Sequence, residues 1–188
     1  MKKLKIVGLA LALILAIPAT AQKFMVDLSK SSITWTGKKV TGEHYGSIQL
    51  SKGWMKLADN KIAEGSFTID MSTIVNGDLE GEMKQKLEGH LKSDDFFGVE
   101  KHPEAVLHIK GSETINATGF KLMGDLTIKG ITHPIEFTGK RVDNKFIAKV
   151  IVDRSKYDVR YGSGSFFDNL GDKTIYDDFT LDVVIQAK

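Results

Sequence analysis

Period-two alternation of apolar and polar residues is the strongest constraint on what this chain can fold into. In "SSITWTG", Ile33 and Trp35 alternate with Ser32, Thr34 and Thr36; in "EGSFTIDMS", Phe67, Ile69 and Met71 alternate with Ser66, Thr68, Asp70 and Ser72. Successive side chains of a strand point to opposite sides, so this pattern describes strands with one buried face. It recurs in "KLMGDLTIKG" through Leu122, Gly124, Leu126 and Ile128, and in "HPIEFTG" through Ile135 and Phe137. "KFIAKVIVD" carries it through Phe146, Ala148, Val150 and Val152, and the tail "DDFTLDVVIQAK" through Phe179, Leu181, Val183 and Ile185. Gly, Asn and Asp punctuate the runs at "DNK", "NATG", "KGITHP" and "VDNK", which suits hairpin turns between antiparallel neighbours.

One segment has a different period. Leu79, Met83, Leu87 and Leu91 recur every four residues in "DLEGEMKQKLEGHLKS", which predicts a helix near residues 79–92 with a slanted apolar row docked on the strands. Asp78, Glu80 and Glu82 near its start and His90 and Lys92 near its end agree with the helix dipole. Gly81 and Gly89 each weaken it by roughly 1 kcal/mol relative to Ala, so the helix depends on docking. About eight one-faced strands with one helix predict a mainly all-β fold, an antiparallel sheet that closes into a barrel and so loses its edges. Alternation alone fits a two-sheet sandwich as well.

The first 21 residues read as a secretory leader: Lys2, Lys3 and Lys5, an apolar run from Ile6 to Ile17, and the small residues Ala19-Thr20-Ala21. The apolar run is short against the roughly 20 residues of a spanning helix. Cleavage after Ala21 leaves one domain over residues 22–188, placed in a periplasm or outside the cell. The leader holds three of the 26 Lys and Arg residues, which leaves 23 against 24 Asp and Glu residues and a formal charge of −1. That balance gives a nucleic-acid partner little electrostatic support. The chain has no cysteine, which excludes disulfides, a thiol nucleophile and Cys-ligated metals.

Catalytic patterns are weak. The histidines stand at 44, 90, 102, 108 and 133, none three or four residues from another, so the spacing of a helical metal pair is missing. His108 alternates against Leu107 and Ile109 and belongs to the solvent face. Asp94 and Asp95 are neighbours in sequence and need not converge; a helix exit with local backbone hydrogen bonds accounts for them. Asp168, Asn169 and Asp172 lack the full spacing of a calcium loop. "YGSGSFF" does not place Ser163 or Ser165 as a G-x-S-x-G elbow requires. Asn116-Ala117-Thr118 matches a glycosylation sequon. The chemical asset is apolar: inward parities collect Trp35, Phe67, Phe137, Phe146 and Phe179, and Phe96 and Phe97 follow the helix. A barrel lined this way can admit an elongated hydrocarbon, whose burial contributes roughly 0.8 kcal/mol per CH2 before ordering costs.

"FMVDLSKSSITWTG", "LEGHLKSDDFFGVEKHPEAVLHI", "GDLTIKGITHPIEF" and the alternating tail, taken in this order, resemble the YceI-like family across nearly all of residues 22–188. Its more specific parts are Ser93, Asp95, Phe96 and Phe97 running to His102-Pro103, and Leu126 to Gly130 with Thr132 and Pro134. The resemblance implies an eight-stranded antiparallel, lipocalin-like barrel with a packed helix, whose lumen holds a polyisoprenoid such as a quinone or prenyl phosphate; some members are linked to stress responses. Trp35, Phe67, Ile69, Leu91, Phe96, Phe97, Leu107, Leu126, Ile128 and Phe137 match apolar, largely inward family positions. With Phe146, taken from its strand parity, they are the candidate lumen residues. "GSGSFFDNLGDKTIYDD" and "VTGEHYGSIQL" depart from the family pattern, the latter with Gly42, His44 and Gly46 around a turn.

The resulting expectation is an exported, non-enzymatic protein that holds an isoprenoid chain non-covalently as carrier, store or sequestering protein. It needs no metal or other cofactor, touches membranes transiently and acts as monomer or homodimer. A solid-core structural or partner-binding barrel is the alternative, followed by an exported metal-dependent or hydrolytic enzyme using His44, His90, His102 or Asp95.

Overall fold

The computed structural model describes residues 21–188. Apart from Ala21, the expected leader lies outside the described residues. Strands β1 (Gln22–Met25), β2 (Ser32–Lys39), β3 (Gly42–Ala58) and β4 (Lys61–Asn76) come first, followed by helix α1 (Gly81–Lys92). Then come β5 (Glu104–Ser112), β6 (Phe120–Ile128), β7 (Ile131–Val142), β8 (Lys145–Asp153) and β9 (Ile175–Gln186). The order across the sheet is β1-β3-β2-β9-β8-β7-β6-β5-β4, and pairing of β3 with β4 closes it. β1 pairs with Trp54–Leu57 of β3 and β2 with its Gly42–Ile48, so β1 and β2 share one stave, broken by a 3-10 turn at Leu28–Lys30. Eight staves therefore form the closed antiparallel barrel, and the sandwich is excluded.

The hairpin punctuation is realised locally. Asp59 and Asn60 turn β3 into β4 with φ of 49° and 56°, and Lys129 and Gly130 turn β6 into β7 with φ of 52° and 74°. A two-residue turn with both φ values positive matches the strand twist, which is why Asn, Asp and Gly are found there. Between β5 and β6, the Asn116 side-chain oxygen accepts from the backbone N–H of Thr118 and Gly119. The sequon asparagine thus braces its own turn.

Two expectations are corrected. Gly42, His44 and Gly46 do not surround a turn; they lie in β3, and the turn is at Val40 and Thr41. The alternation of β3 changes phase, which hid it: Gly46, Ile48 and Leu50 face inward, but so do Gly53 and Met55, because register shifts against β4 fall between Leu50 and Lys52. A bulge inserts a residue and swaps the faces beyond it. In addition, α1 begins at Gly81 and leaves Leu79 outside, and Met83 is 63% exposed. Each step of four residues advances about 40° past a full turn, so four such residues span about 120° and cannot all meet one surface. Only the later part of the row docks, with Leu91 buried and Leu87 half-buried.

Candidate functional site

Inward side chains leave two internal cavities along the barrel. The far cavity, about 90 Å³, is walled by aliphatic, Met and Phe side chains alone, among them Met55, Phe67, Phe120, Phe137, Phe146 and Ile185. The helix-end cavity, about 110 Å³, lies among Trp35, Ile48, Met71, Leu91, Phe96, Phe97 and Ile128. Ile69, Leu126 and Leu181, from β4, β6 and β9, line both cavities and form a septum between them.

All eleven residues selected from the sequence line this lumen. Phe67, Leu107, Phe137 and Phe146 face the far cavity; Trp35, Leu91, Phe96, Phe97 and Ile128 face the helix-end cavity; Ile69 and Leu126 stand in the septum. The sequence reading missed Leu50, Met55 and Ile62, which lie on either side of phase changes in β3 and β4, and Arg154, which parity alone could have found because it continues the inward series of Val150 and Val152.

Two polar assemblies shape the helix end. Arg154 is 2% exposed. Its Nη1 donates to the carbonyls of Val159 and Tyr161 at 2.9 Å each, its Nη2 to Ile175 at 3.0 Å and its Nε to Tyr176 at 3.2 Å. Asp177 Oδ1 lies 3.4 Å from Nη2 without forming a hydrogen bond. Burial lowers the guanidinium pKa, opposed by Asp177 and Asp153. The planar five-donor group thus ties β8, the 159–174 connection and β9 together, a role the three-donor ammonium of lysine cannot fill. The second assembly latches α1. Glu88 Oε1 accepts from the Asn76 backbone N–H at 2.8 Å, buried Asn76 donates to the Tyr45 carbonyl and to Asp78, and Asp78 Oδ2 meets His44 Nδ1 at 2.7 Å. Burial would raise the Asp78 pKa, but hydrogen bonds from the Tyr45 N–H, His44 and Asn76 outweigh it and hold the carboxyl below the usual range.

The residues of the enzymatic alternative do not gather. His44 belongs to the latch, His90 packs edge-on against Phe96 and Tyr161, His102 lies beside Gly98 and Gly130, and Asp95 is exposed. Asp94 pairs with Lys101, whose hydrogen bond and charge lower the carboxyl pKa. Among the described residues, no three His, Asp or Glu side chains are placed to hold a metal ion. The Trp35 Nε1 and His90 Nε2 atoms are buried without a hydrogen-bond partner.

A UPF0312 protein of Staphylococcus aureus is 35% identical over 85 residues, 39% of this chain and 47% of the relative, so the match spans about half that protein's length. The structure of BcnA from Burkholderia cenocepacia superposes with a TM-score of 0.65 at 21% identity, covering 87% of this chain and 99% of that one. A structure described as a polyisoprenoid binding domain from Saccharophagus degradans, implicated in plant cell wall breakdown, gives a TM-score of 0.57 at 12% identity, with 88% and 98% covered. These two likenesses concern the fold. The model of the YceI-like domain matches residues 24–187, and the chain therefore belongs to the YceI-like family.

Proposed function

We infer that this protein holds the chain of an isoprenoid lipid, of quinone or polyprenyl type, in its barrel lumen and serves as an exported carrier, store or sequestering protein. The observation that carries this reading is the lumen itself, two apolar cavities that meet at three shared aliphatic side chains. Water gains little in such a space, whereas an apolar chain gains roughly 0.8 kcal/mol for each CH2 it buries. An isoprenoid chain is narrow and flexible, which fits a lumen that must part at its septum. The polyisoprenoid-binding description of the S. degradans neighbour supports the same ligand class. Nothing in the reading requires a catalytic group, a metal or a nucleic acid. Transient contact with a membrane, where such lipids reside, and action as a monomer or homodimer complete the proposal.

The test is to recover the protein from exporting cells, extract it with organic solvent and identify the lipid by mass spectrometry. An isoprenoid near one per chain is expected, on a polypeptide whose mass begins at Gln22. Repeated absence of lipid, with no uptake of added geranylgeraniol or ubiquinone, overturns the reading.

A further inference from the structure

We propose that the helix-end cavity opens sideways through a portal between β2 and β9 at Gly37, and that the lipid chain enters and leaves there. The proposal rests on the lipid-holding reading above. The ladder between the two strands is regular from Ser32 and Val184 to Gly37 and Phe179, but its next pair is Lys39 with Ile175. Lys38 alone therefore faces Tyr176, Asp177 and Asp178, and the two extra residues on β9 interrupt the pairing.

Gly37 is the last paired residue before this gap, on the inward parity of Ile33 and Trp35, and it lines the helix-end cavity with Ile175, Tyr176 and Phe179. A Cβ at Gly37 would meet nothing within 4 Å. Inward glycines in well-paired parts of the barrel differ: at Gly53 a Cβ would come 2.7 Å from Val26, at Gly124 2.5 Å from the His108 carbonyl and at Gly139 2.7 Å from Phe120. Those glycines serve close packing, whereas Gly37 leaves open space.

Both ends of the barrel are filled. Val26, Ile115 and Ala187 are buried at the far end, and Leu91, Phe96, Phe97 and the Arg154 clasp occupy the other. The rim at Gly37 is half-open, with Tyr176 51% exposed and Phe179 half-buried, and it carries the charges of Lys38, Asp177 and Asp178 across the interrupted pairing. The 162–174 loop beside it is fastened to β9 by the Ile175 N–H to the Gly162 carbonyl and by Ser165 Oγ to Asp177; the Val40 N–H on the Thr174 carbonyl and Arg154 on the Ile175 and Tyr176 carbonyls hold the far side of the gap, which confines the opening to the unpaired stretch at Lys38 and residues 176–178.

The cysteine-free chain allows a direct test. Gly37→Cys is loaded with geranylgeraniol, followed by tryptophan fluorescence, and then capped with a bulky methanethiosulfonate reagent. Capping after loading is expected to slow release at least tenfold, capping before loading to slow uptake at least tenfold, and reduction to restore both. The same cap on Lys149→Cys, on the outer face of β8, is expected to leave both rates unchanged. Unchanged rates at position 37, or equal slowing at 149, overturn the portal. Failure of the uncapped protein to take up geranylgeraniol or ubiquinone instead overturns the lipid-holding reading.

Discussion

The indole of Trp35 occupies the space that a side chain on its cross-strand partner Gly46 would need: a Cβ there would come 2.8 Å from Cζ2 and 2.9 Å from Cε2 of Trp35, and would collide with the Val75 carbonyl. The ring is set between a backbone that cannot retreat and the helix-end cavity. Gly37, two residues along from Trp35, has free space in the same direction. Gly46→Ala is therefore expected to destabilise by about 2–3 kcal/mol, as overpacking does, whereas Gly37→Ala changes stability by less than about 1 kcal/mol, in the favourable direction. Urea unfolding of the two variants checks the contrast; equal midpoints would contradict it.

Arg154→Met removes the donor from four carbonyls and leaves Asp177 without its cation. A loss of about 3–5 kcal/mol is expected, the range for breaking a buried ionic network from one side. Amide exchange is expected to accelerate first in residues 159–176. Uniform acceleration across the barrel would argue against a local clasp.

The depressed Asp78 pKa makes part of the stability acid-sensitive. Because the folded carboxyl binds its proton less readily than the unfolded one, ordinarily near 3.9, its contribution is present above that pH and fades as pH falls through the folded value. Asp78→Asn is expected to flatten this acid limb, so that the gap between variant and parent narrows below about pH 4. Parallel stability curves from pH 2 to 7 would remove the latch from the account.

Leu181→Ala opens the septum from β9 and joins the two cavities. The empty variant is expected to lose about 1–2 kcal/mol, below the range for fully buried leucines because Leu181 is only partly buried. An isoprenoid long enough to span both cavities is expected to restore part of this, since a ligand that binds only the folded state raises its stability. A thermal shift with geranylgeraniol no larger in the variant than in the parent would show that the septum does not limit occupancy.

The fold was legible wherever direction is a local property. Alternation through Phe67 to Met71, Leu122 to Ile128 and Phe146 to Val152 assigned inward faces, and the turn residues Asp59-Asn60 and Lys129-Gly130 stand where the strands reverse. The stretch from His90 to Ile109, with its three histidines and adjacent aspartates, reads as a helix exit leading into a strand, and in the structure it is the end of α1, buried Phe96-Phe97 and the start of β5 after Pro103. Legibility ended in β3, where bulges exchange the two faces between Leu50 and Gly53, and at α1, where a four-residue repeat drifts around the helix and leaves Met83 in solvent.

The amino-acid order by itself determined the strand faces, the hairpins, the presence of a helix after β4 and an apolar interior, because each follows from torsion preferences and burial within a few residues. Only the tertiary structure decided that the sheet closes, that Arg154 finds its carbonyl acceptors on segments up to 22 residues away, that the lumen is divided at Ile69, Leu126 and Leu181, and that the β2–β9 ladder parts at Gly37. These features depend on which distant strand becomes a neighbour and in what register, and no local preference specifies that.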